Sequence, residues 1–318
     1  MRDAFIGRLT LLAERDPRVF LVTGDLGFSV LDEFRRRFPE RFVNAGVAEQ
    51  NMTGVATGLA LEGRIVFTYS IGNFSTLRCL EQIRNDASYH DANVKIVSVG
   101  GGFSYGALGI SHHATEDVAV LRAMPGLTVL TPGTRWEAEE ATEVVAQTRG
   151  TCYLRLDKSF GEELAGGGEP FDLGRARVFR QGEAATIIAM GGILGEALRA
   201  ADVLAERGVR CRVLSMATMK PFDSAAVVAA CRETGGLVTV EEHVLEGGLG
   251  SAVAESCLDA GVRPRRSVRL GLRGGFSSIV GSQEYLRKRY GLDRAAIEEA
   301  ALAVVGEAPQ CEREGGGS

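Results

Sequence analysis

The sequence predicts an α/β protein made of two doubly wound domains. Three observations lead there. Apolar runs of strand length alternate with helical stretches, a glycine-rich break follows Leu156, and the same alternation resumes beyond the break. Parallel strands joined by right-handed crossovers put helices on both faces of each sheet. The expected boundaries are 1–158 for the first domain, 159–174 for a linker, 175–308 for the second domain and 309–318 for a flexible tail ending EREGGGS.

The elements follow in order. MRDAFIGRLTLLAERD reaches charge too soon for a secretory signal and reads as an amphipathic helix. Strands are expected at 19–23, 42–45, 65–69, 94–99 and 127–130, where apolar residues run nearly unbroken. Helices are expected between them at 47–61, 76–88, 115–124 and 136–148. In the second half, strands at 185–190, 209–214, 237–241 and 268–272 alternate with helices at 194–207, 224–234 and 250–258. Helices at 283–289 and 295–305 close the domain. Gly208 sits where a helix ends in a left-handed residue, and Asp293 where a helix takes an N-cap.

Composition narrows the function. At 318 residues, 45% hydrophobic and 24% charged, the chain can bury a core large enough to offset its ordering entropy, which excludes disorder. A net charge of −5 argues against nucleic acid, which requires a basic surface. Nothing approaches the roughly 20 apolar residues of a membrane span. The 41 glycines are not periodic, so collagen is excluded. Six cysteines without a CxxC read as reduced thiols of a cytoplasmic protein, and no paired spacing points to zinc.

Common catalytic motifs are absent: no P-loop, no G-x-S-x-G, no H-E-x-x-H. Two segments stand out. The loop GGGFSYGALG and the pair His112–His113 follow a strand C-terminus, where open α/β sheets bind ligands, and the only other histidines are His90 and His243. In NAGVAEQNMTGVATGLALE (44–62) a strand ends, the chain turns at Gly46, and Glu49 falls in the first helical turn. A carboxylate there is ordinarily solvated and favoured by the helix dipole; a sharper role needs a buried partner. Gly54 and Gly58 each cost about 1 kcal/mol against alanine inside a helix, which suits close approach of another backbone, from this domain or from a partner.

The ordered set GVAEQNM, Phe74 ahead of CLEQIRND, SYGALGISHHATED and TVEEHVLEGGLGSAVAE resembles the C-terminal half of transketolases over nearly the whole chain. The resemblance implies a pyrimidine-binding domain followed by a transketolase C-terminal domain, with thiamine diphosphate as cofactor. It implies that Glu49 hydrogen-bonds the aminopyrimidine ring and so promotes the thiazolium ylid, while the cofactor carries the hard chemistry. It places Phe74 against the pyrimidine, and Asp25, Leu26 and Ile71 at the cofactor's edge. It sets Ser29 near the substrate phosphate, and His112 on substrate oxygens as hydrogen-bond donor and proton shuttle. His113 replaces a usual glutamine beside the substrate. His243 reads as structural.

Departures from the family pattern point to an unusual substrate. Leu108 stands where an aspartate reads a sugar hydroxyl, Gly100 where a histidine helps hold the substrate phosphate, and Lys158 where an arginine clamps it with better bidentate geometry. A less polar or unphosphorylated substrate of a specialised pathway is expected. The family's diphosphate-binding signature, GDG with a downstream Asn holding Mg²⁺, is missing: Gly24–Asp25 is followed by Leu26, and too little sequence precedes residue 19 to hold that domain. The expected protein is therefore one subunit of a split transketolase, in a heterotetramer of two copies each with a diphosphate-binding partner that holds most of the Mg²⁺. The rival readings are a deoxyxylulose-phosphate-synthase-like or 2-oxoacid-dehydrogenase-beta-like thiamine enzyme, and a non-catalytic structural or regulatory subunit.

Overall fold

The computed structural model describes residues 1–27, 29–158 and 170–306; most of the expected linker and the whole expected tail, with Cys311, lie outside them. The first half runs α1 (Arg2–Arg15), β1 (Val19–Thr23), α2 (Asp32–Arg37), β2 (Phe42–Asn44), α3 (Glu49–Leu61), β3 (Ile65–Ile71), α4 (Gly72–Ser75), β4 (Val94–Val99), α5 (Asp117–Ala123), β5 (Leu127–Leu130), α6 (Arg135–Gln147) and β6 (Thr151–Leu156). The second runs β7 (Arg177–Arg180), β8 (Ala185–Met190), α7 (Leu194–Glu206), β9 (Cys211–Ser215), β10 (Thr218–Lys220), α8 (Ser224–Glu233), β11 (Leu237–Val244), α9 (Leu249–Asp259), β12 (Ser267–Leu272), α10 (Gln283–Arg289) and α11 (Arg294–Val305).

The chain is α/β, with two open sheets. The first has seven strands in the order β10-β5-β6-β4-β3-β1-β2, and the second five in the order β12-β11-β8-β9-β7. Pairing is parallel except for β10 against β5 and β7 against β9. Strands covered on both faces are largely apolar, and β4, β6 and β8 are buried at every position. Lys95 is tolerated inside β4 because its Nζ donates to the carbonyls of Thr148 at 2.6 Å and Gly150 at 2.7 Å. From β1 the chain passes outward to β2 and then returns to the other side of β1 as β3. That reversal is a topological switch point, where loops at strand C-termini part and leave a crevice.

Several elements depart from expectation. β6 was not anticipated, because TCYLRL carries a charge; Arg155 is buried there through its ion pair with Asp117, Nε to Oδ2 at 2.9 Å. The same guanidinium donates to the carbonyls of Ala114 at 2.9 Å and Glu242 at 3.0 Å, so one side chain ties the first sheet to β11 of the second. β10 was also unforeseen: the second half lends the first sheet an antiparallel edge strand. The expected helix 76–88 is irregular. Thr76, whose hydroxyl donates to the Gly72 carbonyl at 2.7 Å, leaves helical dihedrals; a 3-10 turn at Leu77–Cys79 and a π-wound stretch at Gln82–Ser88 follow.

Local signals were honoured elsewhere. The Asp293 side chain accepts from the Ala296 N–H, and Gly208 follows α7 with φ +83°. Cys79, Cys152, Cys211, Cys231 and Cys257 are free thiols. Among the described residues no helix is long and apolar enough to cross a membrane.

Candidate functional site

The crevice is built from the ends of β1, β2 and β3. After β1 the backbone is bent into left-handed conformations at Asp25 (φ 57°) and Ser29 (φ 65°), which non-glycine residues adopt only when their surroundings enforce it. Asn44, ending β2, does the enforcing at Asp25. Its Oδ1 accepts from the Asp25 and Gly46 N–H groups at 3.0 Å each, and its Nδ2 donates to Asp25 Oδ1 at 2.8 Å. Gly46 (φ +75°) then turns the chain into α3, whose first residue is Glu49.

Glu49 is not a solvated helix-start residue. Its side chain is 2% exposed. It fits because position 24 is glycine: a Cβ there would lie 3.2 Å from Glu49 Cγ. The partner that such a buried carboxylate requires is Arg78, whose Nη1 donates to Oε2 at 2.8 Å. Beneath the helix, burial raises the Cys79 thiol to about 11, so it stays protonated.

A row of rings and cations continues from this carboxylate. The Arg78 guanidinium lies over the Phe74 ring, 4.6 Å from its centroid. The imidazole of His112 meets Phe74 edge-on, with centroids 5.1 Å apart, and lies 6.2 Å from Tyr105. Lys158 Nζ completes the row, 5.0 Å from the Tyr105 centroid. The structure thus links Glu49, Phe74, His112 and Lys158 into one series of neighbours through Arg78 and Tyr105. Burial and the neighbouring His113 hold the His112 pKa below that of free imidazole, so the ring is neutral at pH 7. Its Nδ1 faces Ser111 Oγ at 3.0 Å.

The other expected residues divide. Ile71 ends β3 beside Phe74, and the Leu26 carbonyl accepts from Thr23 Oγ1 at 3.0 Å at the crevice rim. Exposed Ser29 lines an open cleft of about 830 Å³ together with Arg2 and Arg135. Leu108 is 55% exposed, an apolar side chain presented to solvent beside the histidine loop. His113 is not brought into the row. It is wholly buried and packs on Phe103; Nε2 lies 3.0 Å from the Gly106 carbonyl and Nδ1 2.8 Å from Ser277 Oγ. Both nitrogens are spent inside the protein, which leaves none for a substrate. His243 is likewise buried, its Nε2 accepting from the Ala119 N–H at 3.2 Å.

Two residues of the row escaped the sequence reading. Arg78 lies four residues after Phe74, but the break at Thr76 separates them, so no helical spacing marked it in the sequence. Tyr105 had no signal either. A Cβ on Gly100, itself at φ +101°, would collide with the Tyr105 ring. The aromatic ring therefore fills the space into which a side chain at position 100 would grow.

Residues 1–162 match the family described as transketolase, pyrimidine binding domain, and residues 174–297 match transketolase, C-terminal domain. The chain is 36% identical to the 6-deoxy-6-sulfo-D-fructose transketolase subunit SqwH of Clostridium sp. over 96% of this chain and 94% of that one. It is 35% identical to a subunit of the apulose-4-phosphate transketolase of Phocaeicola vulgatus over 96% and 97%. Among solved structures it is similar to a split gene transketolase described as an inactive beta4 tetramer, with a TM-score of 0.87 and 35% identity over 96% of this chain and 98% of that one. Transketolase from Campylobacter jejuni shares the fold at a TM-score of 0.81 and 19% identity, with this chain covering 46% of its length. The rival thiamine-enzyme and non-catalytic readings are not favoured by these relatives. The chain belongs to the transketolase family, whose pyrimidine-binding and C-terminal domains it carries.

Proposed function

We propose that this chain is the pyrimidine-side subunit of a thiamine-diphosphate-dependent transketolase that moves a two-carbon ketol unit from a ketose to an aldehyde, and that it works only with a separate diphosphate-binding subunit. The observation that carries the reading is the buried Glu49 carboxylate joined through Arg78 to the half-buried Phe74 ring at the switch point of the sheet. A buried acid beside an aromatic face, both engaged here by a planar guanidinium, suits a flat, basic heterocycle, so the residues present fit the cofactor.

When bound, thiamine diphosphate supplies the nucleophilic carbon that takes up the ketol unit. The chain's own part is to hold and to transfer protons. Glu49 would hold a nitrogen of the pyrimidine ring through a charge-assisted hydrogen bond, and Phe74 would stack on the ring. Asp25, Leu26 and Ile71 border it. Neutral His112, with Nδ1 toward Ser111, has Nε2 for a substrate oxygen. Mg²⁺ and the diphosphate fall to the partner, in an assembly of two copies of each chain. Relatives named as subunits, and the beta-only tetramer described as inactive, support a division of this kind.

The substrate end of the row departs from a sugar-phosphate site. Tyr105 fills the space at Gly100, Leu108 replaces a hydroxyl reader, and Lys158 offers a point charge, with Ser29 and Arg2 lining the neighbouring cleft. We read this as a site for a ketose with fewer hydroxyls to recognise than the ordinary pentose phosphates. Two relatives are named for 6-deoxy-6-sulfo-D-fructose and for apulose-4-phosphate, ketoses other than the ordinary pentose phosphates, which accords with a non-standard substrate. The test is reconstitution with the diphosphate-binding subunit, cofactor and Mg²⁺, assayed on a panel of ketoses. Turnover by the pair and none by the lone chain is expected. Ordinary transketolase efficiency on xylulose 5-phosphate and ribose 5-phosphate counts against the substrate reading, and a fully active lone chain against the subunit reading.

Two further results are expected. Protonation of His112 removes a neutral imidazole, and its pKa is lowered, so kcat/KM should fall only as pH drops below about 6.5, the value of the free side chain. A pH profile of His112→Gln should be slower and lack that acid limb; an unchanged limb assigns it to another group. Gly54 and Gly58 are exposed on α3, and a Cβ at either would touch nothing within 4 Å. Packing within this chain therefore does not explain them. Gly54→Ala and Gly58→Ala should each stabilise the lone chain by about 1 kcal/mol in thermal unfolding. Both should weaken assembly with the partner, and pairing at wild-type affinity would show that no partner backbone approaches there.

A further inference from the structure

The residue that answers Glu49 has no part in the chemistry just described. Arg78 Nη1 donates to Glu49 Oε2 at 2.8 Å, and its guanidinium carbon lies 4.6 Å from the Phe74 centroid. A guanidinium is planar, carries donors along its edge and stacks on aromatic faces. An aminopyrimidine has the same three properties. The two contacts that the proposed site offers such a ring, one carboxylate edge and one aromatic face, are both taken here by a single side chain of this protein.

Nothing else detains Arg78. Among the described residues it makes no other hydrogen bond or ion pair, and its side chain is 47% exposed while that of Glu49 is 2% exposed. Its way out is toward solvent. A carboxylate as deeply placed as Glu49 is costly without a cation, so some group must answer it before any ligand arrives. We infer that Arg78 is a placeholder: it occupies the position of the cofactor's aminopyrimidine in the unloaded subunit, neutralises Glu49, and swings to solvent when the ring is seated. The inference rests on the proposed function and adds to it a competitor for the cofactor's own contacts.

Calorimetric titration of Mg²⁺–thiamine diphosphate into the assembled pair tests it, with wild type, Arg78→Met and Arg78→Lys compared. Arg78→Met should bind about tenfold more tightly or better, because a charge-assisted hydrogen bond no longer has to be broken first. Arg78→Lys, which keeps the charge and loses the planar fork, should fall between. In a Glu49→Gln background the gain from Arg78→Met should vanish. Without cofactor, Arg78→Met should unfold at a lower temperature than wild type, and with saturating cofactor the two should coincide. Saturable binding by wild type, with Arg78→Met binding equally or more weakly, overturns the placeholder and leaves the proposed function intact. Absence of saturable binding by every variant, wild type included, contradicts both.

Discussion

Glu49→Gln in the reconstituted pair should lower kcat by on the order of 10²–10⁴-fold, the range over which a positioned proton-transfer group acts. The change keeps the side chain's size against Gly24 and removes only its charge and proton. Thermal unfolding should shift little, and KM for the sugars should stay near wild type, since Glu49 faces the cofactor rather than the substrate. Glu49→Ala should be at least as slow, because it also removes the amide that in Glu49→Gln can still hydrogen-bond the ring. Steady-state kinetics at saturating cofactor separates this from a binding defect. A rate within a few-fold of wild type for Glu49→Gln would make the carboxylate a structural group and remove the basis of the mechanism.

The second large effect falls on stability. Arg155 is 2% and Asp117 0% exposed in their ion pair, and Asp117 also accepts from the Tyr153 hydroxyl at 2.5 Å. Truncating one partner strands a buried charge, which costs about 3–5 kcal/mol. Arg155→Met should lose that much in denaturant unfolding, and more sharply than most core truncations, because Arg155 also holds the carbonyls of Ala114 and Glu242. Arg155→Met with Asp117→Leu should recover part of the loss, since the Asp117 charge is then no longer left without its partner. A double variant as unstable as the sum of its singles would show that the ion pair is not what carries the cost. Asp117 begins α5, just beyond the histidine loop, so the single variant should also loosen His112 and raise KM.

What could be read from the sequence was whatever depends on near neighbours. β1, β3 and β4 announce themselves because parallel strands covered on both faces are rich in apolar and β-branched residues, and the helix ends at Gly208 and Asp293 follow from local backbone needs. What depends on distant partners was hidden. β6 contains an arginine whose burial makes sense only with Asp117, 38 residues earlier. β10 lies in one half of the chain and pairs in the other. At the site, the position of Glu49 in the first turn of α3 was legible, but its burial depends on Gly24 and on Arg78, 29 residues on. His113 looked like a second site histidine because it adjoins His112. Its ring turns instead into the protein, toward Ser277, 164 residues away.

The most direct measurement is a structure of the assembled pair with thiamine diphosphate and Mg²⁺. The account predicts a Glu49 carboxylate oxygen about 2.7 Å from the pyrimidine nitrogen, the Phe74 ring stacked on the heterocycle, and the diphosphate held by the other chain. A heterocycle seated away from Glu49, or a diphosphate gripped by this chain itself, would contradict it.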